Sequence, residues 1–180
     1  SGKLIEPKYT KNISSSKIRN KIIKLGTSPE NRRLKLKRLM DAKKIVRIME
    51  SHSAFTGLVV ENLKLIKNRN FLEFDGMWSS SLTDSATRGK PDNQAVDYST
   101  RIQGLNEILE VTTKPLIFDA DNGGRNEHIS YTVRTLERLG VSAICIEDKV
   151  GVKRNSLFDN QSKAQQDTIN SFCKKIKNLV

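Results

Sequence analysis

The chain has 180 residues, 36% of them hydrophobic and 29% charged, which is enough for one core and too apolar for a disordered segment. No apolar run approaches the roughly 20 residues of a membrane span, and no charged-then-apolar leader opens the chain, so a cytoplasmic protein without a membrane partner is expected. The net charge of +12 is unevenly spread: residues 1–50 hold 15 Lys+Arg against 4 Asp+Glu, residues 51–180 hold 17 against 16. Clustered cations in that first segment suit phosphates, but Tyr9 is its single aromatic and no stacking platform is visible. A solvated basic helix is the favoured reading, and nucleic acid is not expected as a partner.

In chain order, residues 1–28 are polar, with a basic helix over 16–25, and end in Gly26-Thr27-Ser28-Pro29. Ser28 can cap a helix that has Pro29 at its first position, and this helix is predicted to run to about Met49. Its apolar positions Leu34, Leu36, Leu39, Met40, Ile45, Val46 and Ile48 form a stripe, with the basic residues opposite. A strand is predicted over 55–60, leading into a helical stretch through about Lys67. Further strands are predicted at 74–78, 115–119 and 142–147, and further helices at 94–111, 127–139 and from Gln161 to about Leu179. Strands alternating with helices imply right-handed crossovers and a parallel sheet. Cys145 and Cys173 are not spaced as a pair and read as buried structural thiols, while His52 and His128 have no zinc-ligand spacing.

Ligands of such sheets collect at the C-terminal strand ends. Three of those ends are polar here: Trp78-Ser79-Ser80-Ser81, Asp119-Ala120-Asp121 and Glu147-Asp148-Lys149. In Asp119-x-Asp121 the period of two puts both carboxylates on one side if strand geometry persists that far, and Glu147 can join them. Three carboxylates without a histidine or thiolate suit a hard ion, Mg2+ above all. By spacing alone, a metal site and ordinary Asx caps of the following loop weigh equally. Lys153, Arg154, Asn155 and Ser156 supply cations and donors for an anionic substrate, and Gly151 lets their loop move; a solvated loop is the plainer alternative. The hydroxyls and N–H groups after Trp78 can hold an oxyanion or simply form a serine-rich turn, and Asp92 after Gly89-Lys90-Pro91 can be a turn residue.

Four motifs occur in order: Trp78-Ser79-Ser80-Ser81-Leu82; Ser85-Ala86 with Gly89-Lys90-Pro91-Asp92; Asp119-Ala120-Asp121-Asn122-Gly123-Gly124; and Glu147-Asp148-Lys149 with Lys153-Arg154-Asn155-Ser156. With them, residues from about 48 to 178 resemble the N-terminal half of phosphoenolpyruvate mutases, in the isocitrate lyase and phosphoenolpyruvate mutase superfamily of (β/α)8 barrels. The resemblance implies an α/β fold, a partial (β/α)8 barrel of about four βα units with an N-terminal basic helical extension. It also implies interconversion of phosphoenolpyruvate and 3-phosphonopyruvate, the step that begins phosphonate biosynthesis, and a full-length form that is a homo-oligomer.

Carried over by residue, Asp119, Asp121 and Glu147 would hold Mg2+, largely through water. Trp78, Ser80, Ser81 and Leu82 would line the substrate, with the backbone around Ser81 and Leu82 receiving its enolate and carboxylate oxygens. Lys153, Asn155 and Ser156 would close over the phosphoryl group, and Asp92 would lie beside it. Lyases of the superfamily carry a Lys-Arg/Lys-Cys-Gly-His loop, which this chain lacks, so phosphorus chemistry is favoured. Phosphonopyruvate hydrolase shares much of the pattern and stays open as the alternative, as does a noncatalytic module that keeps the strand ends. Ser81 stands where many mutases have glycine. The four βα units fall short of the roughly 250 residues of a barrel, so residues 29–180 are expected to be the first half of one, inactive alone. Tyr9 to Arg19 resembles the tail of cytidylyltransferase-type nucleotidyltransferases, which makes 1–28 a linker or the tail of such a domain; a serine-capped helix start is the alternative.

Overall fold

The computed structural model describes residues 27–67, 70–155 and 165–179, together with Ser14, Ser16, Lys17 and Asn20. Helix α1 (Pro29–Ala42) starts as its sequence dictates, with the Ser28 hydroxyl accepting from the Asn31 N–H at 3.2 Å. It stops seven residues before the expected Met49, because Ile48–Glu50 form strand β1. That strand lies parallel to β4 (Gly76–Ser79), with Ile48 beside Gly76 and Glu50 beside Trp78. Sheet pairing, which no local pattern shows, takes those residues from the helix.

The strand predicted over 55–60 is instead helix α2 (Ala54–Asn62). Ser53 and Thr56 form a reciprocal capping box at its start, and that nucleus overrides the β-branched run Val59-Val60. The stretch read as helical to Lys67 is a hairpin of β2 (Lys64–Lys67) and β3 (Asn70–Glu73), with Ile66 opposite Phe71.

Beyond the hairpin the predicted strands and helices occur in the expected order, but Gln165–Gln166, read as part of the last helix, pair as a strand with Lys149–Val150, and that helix starts at Ile169. Strand β4 leads to the short helix α3 (Ser81–Ala86), then α4 (Tyr98–Val111), β5 (Leu116–Asp119), α5 (Ile129–Leu139) and β6 (Ala143–Cys145). A two-residue ribbon pairs β7 (Lys149–Val150) with β8 (Gln165–Gln166), and α6 (Ile169–Lys177) closes the described chain. Residues 161–164 of the predicted last helix lie outside the described residues.

The main sheet is parallel, in the order β1-β4-β5-β6. One face carries Met77, Leu116 and Phe118 against Leu105, Ile108 and Leu109 of α4, Leu136 of α5 and Val60 of α2. This is the core. The opposite face, with Ile48, Glu50, Trp78, Ile117 and Ala143 in successive strands, is only half-buried. Residues of β5 therefore alternate between buried and half-buried, so one face of the sheet is packed by helices and the other is not.

Two further expectations change. The apolar stripe of α1 is not what the helix buries: Leu36 is buried, but Leu34 and Met40 are exposed, and Arg32 is buried. Arg32 donates to the carbonyls of Leu109 at 2.7 Å and Thr112 at the end of α4, where the helix dipole and unpaired carbonyls favour a cation. Cys145 and Cys173 are exposed rather than buried thiols. Cys145 lies beside Asp119 on the sheet face that no helix among the described residues covers, so the apolar sequence of β6 is not buried on both faces. The turn from α5 into β6 is a tight contact: Gly140 has φ +93°, and a Cβ there would meet the Pro29 backbone at 2.7 Å.

Candidate active site

Five of the sequence-predicted residues converge at the C-terminal ends of β4 and β5: Ser81, Asp92, Asp119, Asp121 and Lys153. Strand β5 ends at Asp119, and Asp121 then adopts a left-handed backbone with φ +51°. Strand geometry ends at Asp119, yet both carboxylates still meet one cluster: Asp119 on the Ser81 hydroxyl, Asp121 on the Lys153 ammonium that donates to that hydroxyl. Asp119 takes both suggested roles in part. One oxygen accepts the Asp121 N–H at 3.0 Å, an Asx turn; the other accepts the Ser81 N–H at 3.2 Å and the Ser81 hydroxyl at 2.9 Å. The Ser81 amide, expected to face substrate oxygens, is thus held by Asp119.

Asp121 is buried between two cations. Its Oδ1 accepts from the Lys153 ammonium, and its Oδ2 lies 3.6 Å from the Arg101 guanidinium. Lys153 also donates to Asp92 at 2.8 Å and to the Ser81 hydroxyl, drawing three chain segments together. Burial works against the Lys153 charge, but the bonds to Asp121 and Asp92 outweigh it and hold the ammonium above the usual lysine range.

Arg101 escaped the sequence reading. It is buried on α4, donates to Asp84 at 2.9 Å, to the Asp119 carbonyl at 2.7 Å and to the Ser79 carbonyl at 3.4 Å, and lies 4.2 Å over the Phe118 ring. The signal was present: Arg101 occupies the same helical face as Leu105 and Ile108, where a cation is costly unless partnered. Asp84 and Ser79, bonded to each other at 3.2 Å, complete that buried network. Tyr98 donates to the Ala120 carbonyl, and burial followed by the Asp121 charge raises its phenol above the normal range.

The remaining predicted residues are less engaged. Trp78 is half-buried on the open sheet face, Ser80 caps α3 without a side-chain bond, and Leu82 is half-buried beside it. The Glu147 N–H donates to the Asp121 carbonyl at 2.7 Å, but its carboxylate pairs with Lys149 at 3.0 Å. Asn155 is buried, and Ser156 lies outside the described residues. The loop from Glu147 to Asn155 is tethered at Gly151, whose carbonyl accepts from the Asn122 amide at 2.7 Å. Glu50 and His52 stand at the end of β1, 3.5 Å apart, a pair the motif reading did not single out.

Asp119 and Asp121, two carboxylates joined through the Ser81 hydroxyl and the Lys153 ammonium, are donors of the kind Mg2+ takes, while the Glu147 carboxylate is turned to Lys149. Among the described residues no three acidic, histidine or cysteine side chains form a closed metal cage. An ion here would be held by one or two carboxylates and its own waters.

The sequence model of the phosphoenolpyruvate phosphomutase family matches residues 36–180. The chain belongs to this family. Among family relatives, it is 32% identical over 143 residues to the phosphoenolpyruvate phosphomutase of Tetrahymena pyriformis, covering 79% of this chain and 44% of that protein. It is 33% identical over 110 residues to the phosphonopyruvate hydrolase of Variovorax sp., covering 61% and 38%. The crystal structure of phosphoenolpyruvate phosphomutase from Streptomyces platensis subsp. rosaceus superimposes with a TM-score of 0.70 at 28% identity, over 81% of this chain and 47% of that one. The fold is accordingly a partial family barrel, and the chain spans less than half the length of each of these relatives. No helix among the described residues is long and apolar enough to cross a membrane.

Proposed function

We propose that the protein of which this chain is part interconverts phosphoenolpyruvate and 3-phosphonopyruvate with Mg2+. The observation that carries the reading is the meeting of Lys153 with Asp92, Asp121 and Ser81 at the strand ends. It joins the gating segment to the acidic motif within a chain 32% identical to a phosphomutase. In the reaction the bond from phosphorus to the enol oxygen breaks and a bond from phosphorus to carbon forms, so nothing is added or lost.

Asp119 and Asp121 would hold Mg2+, with Glu147 joined to it through water, and the ion would supply positive charge to the substrate's oxygens. The chain's own task is to position a loose phosphoryl transfer and neutralise it. Lys153 provides the cation and Asn155 the amide donors for the phosphoryl oxygens. Ser81 orients Asp119, while Trp78, Ser80 and Leu82 flank the space where substrate would lie on the open sheet face. Arg101 fixes the β4 and β5 ends through the Ser79 and Asp119 carbonyls. The segment Lys153-Arg154-Asn155-Ser156 has no cysteine for carbon–carbon cleavage, which favours phosphorus chemistry over that of lyases.

Phosphonopyruvate hydrolase is the second reading, favoured by 33% identity to such an enzyme. Phosphorus NMR of the full-length protein with phosphonopyruvate and Mg2+ separates the two. A phosphoenolpyruvate resonance is expected; free phosphate with pyruvate would establish the hydrolase, and an unchanged substrate would leave a noncatalytic module.

A further inference from the structure

Asp121 faces two cations that differ in what holds them. The Arg101 side chain is 1% exposed, and its donors serve Asp84, the Asp119 carbonyl and the Ser79 carbonyl while its plane covers Phe118. It cannot leave without opening the core. Lys153, its side chain 9% exposed, is carried by a loop segment tied to Asn122 through the Gly151 carbonyl and next to Val152, which is 77% exposed. Its ammonium is held by Asp121, Asp92 and the Ser81 hydroxyl.

We infer that Lys153 is an exchangeable counter-ion for Asp121, displaced when a divalent cation binds, whereas Arg101 is the permanent one. The physical reason is competition: an ammonium and a divalent ion on the same buried carboxylate repel each other, and in a buried setting that repulsion is weakly screened, so each weakens the other's hold on Asp121. Without metal, the lysine neutralises Asp121 and Asp92. Metal binding to Asp121 takes over that task and frees the ammonium, still tethered within reach, for the phosphoryl group of an incoming substrate. The inference rests on the Mg2+ reading above and deepens it: loading the ion and arming the lysine become one event.

The test is direct binding of Mn2+, followed by electron paramagnetic resonance and calorimetry, to the full-length protein and to its Lys153→Met and Lys153→Arg variants. Removing the competing cation should tighten Mn2+ binding in Lys153→Met by roughly tenfold or more, a change of at least about one log unit for a buried partner. Lys153→Arg, which keeps the charge, should bind like the unsubstituted protein. Equal or weaker binding in Lys153→Met would overturn the exchange while leaving the metal site standing. Absence of Mn2+ binding in all three would sink the metal reading itself, and the exchange with it. A second measurement needs no variant: acylation of lysine amines, mapped by mass spectrometry, should label Lys153 several-fold faster with Mg2+ than without, and an unchanged rate would refute the displacement.

Discussion

Asp121 combines burial, two cationic neighbours and a left-handed backbone that few residues other than glycine adopt, although aspartate tolerates it better than most. Such a conformation persists only where surrounding contacts over-determine it. Here they are the Asp119 carboxylate on its N–H, Glu147 on its carbonyl, and Lys153 and Arg101 on its side chain. Asp75 shows the same logic away from the site. It accepts the Arg47 N–H at 2.9 Å and the Lys43 ammonium. Burial alone would raise its pKa, but those donors outweigh it and hold the carboxyl below its ordinary 3.8. A depressed folded pKa means stability that is present above the unfolded value and lost as pH falls through the folded one. Urea unfolding of Asp75→Asn should therefore show a lower midpoint than the parent at pH 7, with the difference closing as pH falls below the ordinary carboxylate value and through the folded one. A constant gap across that range would mean the charge is not what matters.

At the scale of elements, α1 is held by a cation rather than by its apolar stripe. Arg32 reaches the last carbonyls of α4, and the Ser142 hydroxyl donates back to the Arg32 carbonyl at 2.8 Å, so one residue joins α1, α4 and the start of β6. Burial pulls the guanidinium down to about 10, a value still far above neutrality, so the cation persists under physiological conditions. Arg32→Ala should remove the packing of a buried side chain and leave those carbonyls without their donor. The expected loss is about 2–4 kcal/mol in denaturant unfolding. A loss under about 0.5 kcal/mol, the size of an ordinary surface change, would show that water replaces the guanidinium.

For the molecule as a whole, the sheet ends at β1 on one side and β6 on the other, and its inner face is half-covered. Open strand edges beside apolar surface favour association. A polypeptide of these 180 residues produced alone should bind an apolar dye and sediment as a concentration-dependent mixture. Cys145, exposed on the β6 edge, should react with a disulfide reagent without denaturant. Its rate should rise steeply with pH, because burial, then Asp119 and Glu147, raise the thiol above its ordinary value and hold down the thiolate fraction. An inert Cys145 in the native chain would show that self-association covers this face.

The sequence by itself determined the elements with strong local punctuation: the capped start of α1, the helices α4 and α5, the strand β4 that runs into serines, and the strands β5 and β6 that run into acids. It also singled out Ser81, Asp92, Asp119, Asp121 and Lys153, because acids after apolar strands and a polar loop after glycine are visible in one dimension. Tertiary structure alone decided what depends on distant partners. Ile48–Glu50 became a strand because β4 lies beside it, and Asp121 left strand geometry for a left-handed turn in which Lys153 and Arg101 meet its side chain. Arg101 and Arg32 are buried because carbonyl ends and carboxylates from other elements meet them there. A local pattern records which residue types stand near one another along the chain. Whether a buried charge has a partner, and whether a strand has a neighbour, is set by the packing of segments far apart in that order.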